Sequence, residues 1–102
     1  MTRVIISYRA EADIREAQAF YDSIGEGLGD YFCTSLLADF DKLCVTAGVH
    51  RIVLSDYHRA TCRSFPYGIF YTMDKGVAVV WAVVDLRRDT EWIKEHLGKL
   101  RS

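Results

Sequence analysis

The hydrophobic spacing of the chain switches from strand to helix and back again. Val4-Ile5-Ile6-Ser7-Tyr8 is a β-branched run of strand length. From Glu11 to Ile24 the period becomes about 3.6, with Ile14, Ala17, Tyr21 and Ile24 on one face and Phe20 beside them. Gly25, Gly27 and Gly29 interrupt that pattern as a connector. Leu28, Phe32, Leu36, Phe40 and Leu43 then set a second helical stripe over residues 29–47. Two amphipathic helices joined so briefly predict an antiparallel hairpin.

Beyond Gly48 the pattern returns to strands. A short segment, Arg51 to Leu54, precedes a loop at Ser55-Asp56-Tyr57 and a strand over Arg59 to Ser64, and Pro66 marks the junction with the next one. Tyr67 to Met73 and Val77 to Leu86 flank Asp74-Lys75-Gly76, which reads as a hairpin loop. Val77 to Val84 is apolar throughout and predicts a central strand covered on both faces. A last helix, Thr90 to Leu97, has Asp89 placed as its N-cap and Gly98 as its stop. The expected fold is α+β: a strand, an antiparallel helical hairpin, a mainly antiparallel three-strand meander completing a small sheet, and a short C-terminal helix. Residues 1–102 read as one domain.

Composition alters this picture little. Half of the 102 residues are apolar, enough for an ordinary core without staples. Cys33, Cys44 and Cys62 are odd in number and lack metal-ligand spacing, so no disulfide framework, metal or cofactor is expected. The apolar start is too short for a signal peptide and no segment reaches membrane-spanning length, which predicts a soluble, cytoplasmic protein with no membrane contact. A net charge of −1 removes the global positive field that most nucleic-acid binders use. The charge is uneven, however: an acidic stretch from Glu11 to Asp41 precedes a locally basic one containing Arg51, Arg59 and Arg63.

Two places carry candidate chemistry. Phe65-Pro66-Tyr67-Gly68-Ile69-Phe70-Tyr71 is an aromatic strand run, and Arg87-Arg88 follows a long apolar run, where forked guanidinium donors suit a carboxylate or phosphate. The alternation of Phe65, Tyr67, Ile69 and Tyr71 reads as sheet-face packing. His50 and His58 read as solvated loop residues, and Trp92 as the anchor of the last helix. Asp85 and Arg87 read as an ion pair at a strand end.

In order and spacing, five stretches resemble the RelE/ParE superfamily of toxins, the plasmid-stabilisation proteins of type II toxin–antitoxin pairs. They are Ala12-Asp13-Ile14 with Ala17 and Phe20-Tyr21; Gly27-Leu28-Gly29 with Phe32; Tyr57-His58-Arg59; the Phe65 to Tyr71 run; and Asp85-Leu86-Arg87-Arg88-Asp89-Thr90-Glu91-Trp92. Two positions depart from a common form of the pattern: Asp85 stands where many members have His, and Thr90 where many have Pro. The resemblance implies a growth inhibitor neutralised by a cognate antitoxin that folds over it, with self-association into a homo-oligomer as a further expectation.

Two mechanisms exist within that family. The RelE branch is known for cleaving mRNA on the ribosome, which needs a base, a cationic clamp and an acid. Here His58 or Asp85 would be the base, Arg59, Arg63, Arg87 or Arg88 the clamp, and Tyr67 or Tyr71 the acid or a stacking platform. The ParE branch inhibits DNA gyrase by protein contact and needs no catalytic constellation. A carboxylate at position 85 repels phosphate, and a near-neutral pI of 6.3 is poor for gripping ribosomal RNA. The sequence therefore favours the protein-contact reading, with a RelE-like endoribonuclease and a non-toxic interaction module as alternatives. The binding surface expected in either case is Arg59, Arg63, Tyr67, Arg87 and Arg88.

Overall fold

Ser7 ends the first strand and starts the first helix. In the computed structural model, which describes residues 1–100, strand β1 spans Arg3–Ile6 and helix α1 spans Tyr8–Ile24. The Ser7 hydroxyl oxygen accepts from the Ala10 N–H at 3.2 Å. This cap satisfies one of the amides that a helix start leaves orphaned, so α1 begins three residues before the expected Glu11 and Tyr8 is helical rather than extended. Ala10, Ile14, Ala17 and Tyr21 face the core as their spacing predicts. Ile24 does not: it lies in the last turn and is 60% exposed.

Helix α2 spans Leu28–Thr46 and buries the whole predicted stripe of Phe32, Leu36, Phe40 and Leu43, with Leu28 half-buried beside it. Gly29 belongs to this helix rather than to the connector. Its N–H donates to Asp22 Oδ1 at 2.8 Å, and a Cβ at this position would stand 2.5 Å from the Gln18 carbonyl oxygen. The two helices therefore meet at a point where only a hydrogen atom fits.

Four further strands complete the sheet: β2 (Ile52–Leu54), β3 (Tyr57–Thr61), β4 (Tyr67–Asp74) and β5 (Val77–Asp85). Their order is β1-β5-β4-β3-β2, antiparallel throughout except that β1 lies parallel to β5. The three-strand meander is present, and the short segment around Ile52 extends it as an edge strand. Strand β3 starts at Tyr57 because Ser55, at a φ of 51°, permits a two-residue turn that pairs Leu54 with Tyr57. Strand β5 lies between β1 and β4 over Val77 to Val80 and is covered on both faces, as its apolar run predicts. The helical hairpin covers one face, where Ala78, Val80 and Val83 meet Tyr67, Ile69 and Tyr71. On the other face Ala82, Val84 and Phe70 pack with Tyr57, Leu97 and Leu100.

That change from even to odd positions has a local cause. Phe70 pairs with Ala82 but Tyr71 pairs with Val80, so Trp81 is an extra residue in β5. The Trp81 side chain joins Ala82 on the second face, where its Nε1–H donates to Thr72 Oγ1 at 2.9 Å.

Helix α3 spans Thr90–Lys99. Leu97, Leu100 and Ile93 seat it on the sheet, and the Tyr57 hydroxyl donates to the Leu97 carbonyl at 3.1 Å. Because Leu100 is buried beyond it, Gly98 does not stop the helix. Asp89 stands at the N-cap position, yet its side chain makes no capping hydrogen bond. Trp92 is not the anchor either, being 38% exposed. Among the described residues the three cysteines are free thiols, and burial, followed by Asp39, pushes Cys62 up to about 12. No helix among these residues is long and apolar enough to cross a membrane.

Candidate functional site

Strand β1 is much shorter than its neighbour. It pairs with Val77 to Val80 only, after which the Ser7 N–H takes the Val80 carbonyl at 3.0 Å and the chain turns away into α1. The second half of β5 is thus left with an open edge, which a backbone can tolerate only if its polar groups find other partners. One partner comes from α1: Asp13 Oδ2 accepts from the Val83 N–H at 3.0 Å. Helix α3 closes the far side, leaving a cleft of about 220 Å³ between α1, β5 and α3.

The cleft combines charge with exposed aromatic walls. Asp13 and Glu16 come from α1, Asp85 from the end of β5, and Arg88 and His96 from the α3 side, with Phe20, Tyr67 and Trp92 between them. His96 Nε2 lies 3.6 Å from Asp13 Oδ1, an electrostatic contact beyond hydrogen-bond reach, and this nitrogen is buried without a hydrogen-bond partner. Burial pushes the Asp13 carboxyl above its usual range, an effect the Val83 amide and then His96 oppose and Glu16 reinforces. The Arg88 guanidinium sits 4.0 Å from the Trp92 ring centre, and Trp92 stacks on His96 at 4.8 Å with the rings 9° from parallel.

At the mouth, Asp85 is held by its neighbour. Arg87 Nε and Nη2 bind its two carboxylate oxygens at 3.1 and 2.9 Å, while the Arg87 N–H adds a 2.9 Å bond. This fork keeps the Asp85 carboxyl below its usual range. The expected Asp85–Arg87 pair is therefore present, made across the turn that follows β5 rather than along a continued strand. Tyr67 pairs in register with Asp85, and burial, then Tyr21 and Asp85, pushes its phenol up.

The remaining sequence candidates lie elsewhere. Tyr71 is four residues along β4 from Tyr67, roughly 13 Å away at strand rise, and wholly buried. His58 and His50 are not solvated loop residues. His58 is on β3 and lies flat on the Tyr71 ring, with centroids 5.0 Å apart, and its Nδ1–H donates to the His50 carbonyl at 2.7 Å. The Tyr71 hydroxyl accepts from the Gly48 N–H at 2.9 Å and also bonds His50 Nδ1, donating to it when the neutral imidazole carries its proton on Nε2. Burial, followed by His58, lowers the His50 pKa. These rings clasp the connection after α2 to the sheet.

Arg59 lays its stem on the α3 side, across Gly68, where a Cβ would stand 2.9 Å from Leu86 Cδ2 and 3.3 Å from Arg59 Cγ. Arg63 is exposed in the loop between β3 and β4, its N–H donating to Asp39 Oδ1 at 3.3 Å. Of the candidates, then, Tyr67, Asp85, Arg87 and Arg88 converge at the cleft, while His58, Tyr71, Arg59 and Arg63 do not. Sequence reasoning passed over Asp13, Glu16 and His96 as site residues. One signal was available for Asp13, a carboxylate set directly beside the buried stripe of α1, and one for His96, four residues after Trp92 on the same helical face.

No family model matches the sequence, and no curated protein matches it. Among solved structures, a chain of the chromosomal ParDE TA system from P. aeruginosa has the same fold. The superposition has a TM-score of 0.75 and covers 85% of this chain and 98% of that one, at 13% identity.

Proposed function

We propose that this chain is the toxin of a type II toxin–antitoxin pair and acts by protein contact, with DNA gyrase as the target. The observation that carries the reading is a fold shared with a ParDE chain over nearly all of that chain's length, at 13% identity. At such distance a common fold leaves function to be argued from the site.

The geometry supports protein contact over RNA cleavage. A ribonuclease needs base, clamp and acid around one phosphate. Here His58 gives its Nδ1–H to a carbonyl, Tyr71 is buried, Asp85 is occupied by Arg87, and Arg59 and Arg63 point to different parts of the surface. What converges beside the buried Tyr67 is an exposed set of aromatic and charged groups, Phe20, Trp92, Arg88 and, at the mouth, Arg87, the composition of a protein-binding patch.

Expression of the chain alone should arrest growth, and co-expression of the small protein encoded beside it should relieve the arrest. Purified gyrase should lose supercoiling activity in the presence of the chain, while mRNA from arrested cells remains intact on primer extension. Normal growth would sink the toxin reading. Arrest with active gyrase and cut mRNA would replace the contact mechanism with the endoribonuclease.

A further inference from the structure

The α1 wall of the cleft carries two carboxylates, Asp13 and Glu16. Asp13 Oδ1 lies 3.6 Å from His96 Nε2, and Glu16, one turn along α1, repels it. The Val83 carbonyl shares the open edge with its amide, because both groups of a strand residue point to the same side. At the other end Asp85 already has the Arg87 fork, so its charge is answered. Asp13 and Glu16 thus stand as two carboxylates close together at a partly buried edge, a place where a cation is favoured.

The walls are as specific as the charges. Phe20 and Trp92 are 51% and 38% exposed. Trp92 is held between the Arg88 guanidinium, at 4.0 Å, and the His96 ring, at 4.8 Å, so it offers an incoming group its edge while Phe20 offers its face. An incoming arginine or lysine would lay its methylenes along Phe20 and bring its N–H groups to the acceptors.

We propose that this cleft receives a basic side chain from a segment of the partner protein, with Asp13 and Glu16 as counter-charges, Phe20 against its stem and the edge of Trp92 beside it. The inference rests on the reading of this chain as a protein-bound toxin and names what the antitoxin brings to one place. An anion is disfavoured, since it would have to approach Asp13 and Glu16 while Arg88 stays on Trp92.

The test uses the full chain labelled for NMR and titrated with N-acetyl-arginine amide, with N-acetyl-citrulline amide as the uncharged isostere. The expected result is saturable shifts of the Val83 amide and the Trp92 indole N–H with the arginine probe, and none with citrulline. Glu16 is exposed, so Glu16→Gln folds normally, and it should weaken the probe about two- to fivefold. Arg88→Gln should leave the affinity unchanged or tighten it. Non-saturating shifts spread over outlying carboxylates such as Asp41, equal binding of citrulline, indifference to Glu16→Gln, or loss of binding in Arg88→Gln would each overturn the proposal. Probe binding by a chain that does not arrest growth would keep the cleft and discard the toxin; arrest without probe binding would do the reverse.

Discussion

Asp13 and Val83, 70 positions apart, are joined by a 3.0 Å hydrogen bond in which a helix carboxylate takes the amide that a longer β1 would have paired. Val83 is buried, so removing the acceptor strands its N–H away from water. Asp13→Ala should cost about 1–3 kcal/mol in urea denaturation. Asp13→Asn keeps an oxygen at the same place and loses a charge that burial disfavours, so it should cost clearly less.

His50 makes the clasp after α2 sensitive to pH. It must be neutral to accept from Tyr71, and its pKa is lowered by burial, then by His58 on β3 and Lys42 on α2. With the folded value below the ordinary 6.5, the unfolded chain takes the proton first. The contribution is thus complete above about pH 6.5 and is lost as the pH falls through the folded value. Thermal melts should show a fall in Tm between pH 7.5 and pH 5.5 that is smaller in His50→Gln.

Two glycines should respond in opposite directions to alanine. At Gly29 the new Cβ would collide with the backbone oxygen of Gln18, and separation of the helices should cost about 1–3 kcal/mol. At Gly98, inside α3 with nothing near its missing Cβ, the same change should add about 0.5–1 kcal/mol by restricting the unfolded chain. Denaturant midpoints of the two variants decide the matter.

The Asp85–Arg87 fork predicts a titration shift more than a stability change. The Asp85 carboxyl lies low chiefly because Arg87 hydrogen-bonds it, so Arg87→Ala should move it up toward the ordinary 3.8, as read from its carboxyl carbon in an NMR titration. In the parent chain this stabilisation is present above that ordinary value and is lost as the pH falls through the folded one. Arg87 is exposed, and the melting temperature at pH 7 should barely change. If the variant also fails to arrest growth, that failure can then be assigned to a lost contact.

Most of the architecture was legible because period and burial agree. The stripe of α2 from Leu28 to Leu43 and the unbroken apolar run of β5 each had one physical solution. Boundaries were less legible where a single polar group decides them, as Ser7 does for α1, or where a distant partner overrides a local signal, as burial of Leu100 does for Gly98. The cleft was hardest. Its charges come from α1, β5 and α3, and no local pattern says that β1 stops early enough for Asp13 to reach Val83. The histidines were misread for the same reason: the ring that receives His58 lies 13 residues further on, in the partner strand.

Trp81 gives strand β5 one residue more than β4 can match, which shifts the phase of everything after it. Counted straight through, Val83 and Asp85 would continue the series of Val77 and Val79 and turn toward α3; with the offset they turn toward α1 instead. Deleting that one residue would remove the bulge and leave Val83 and Asp85 turned toward α1, because Trp81 and Ala82 share the face toward α3. Flattening the bulge with Trp81 kept in the ladder would instead turn Val84 toward α1 and carry Asp85 away from the mouth of the cleft. The facing of every group at the end of β5 is thus set by one unmatched residue in the ladder, more than by the side chains that line the opening.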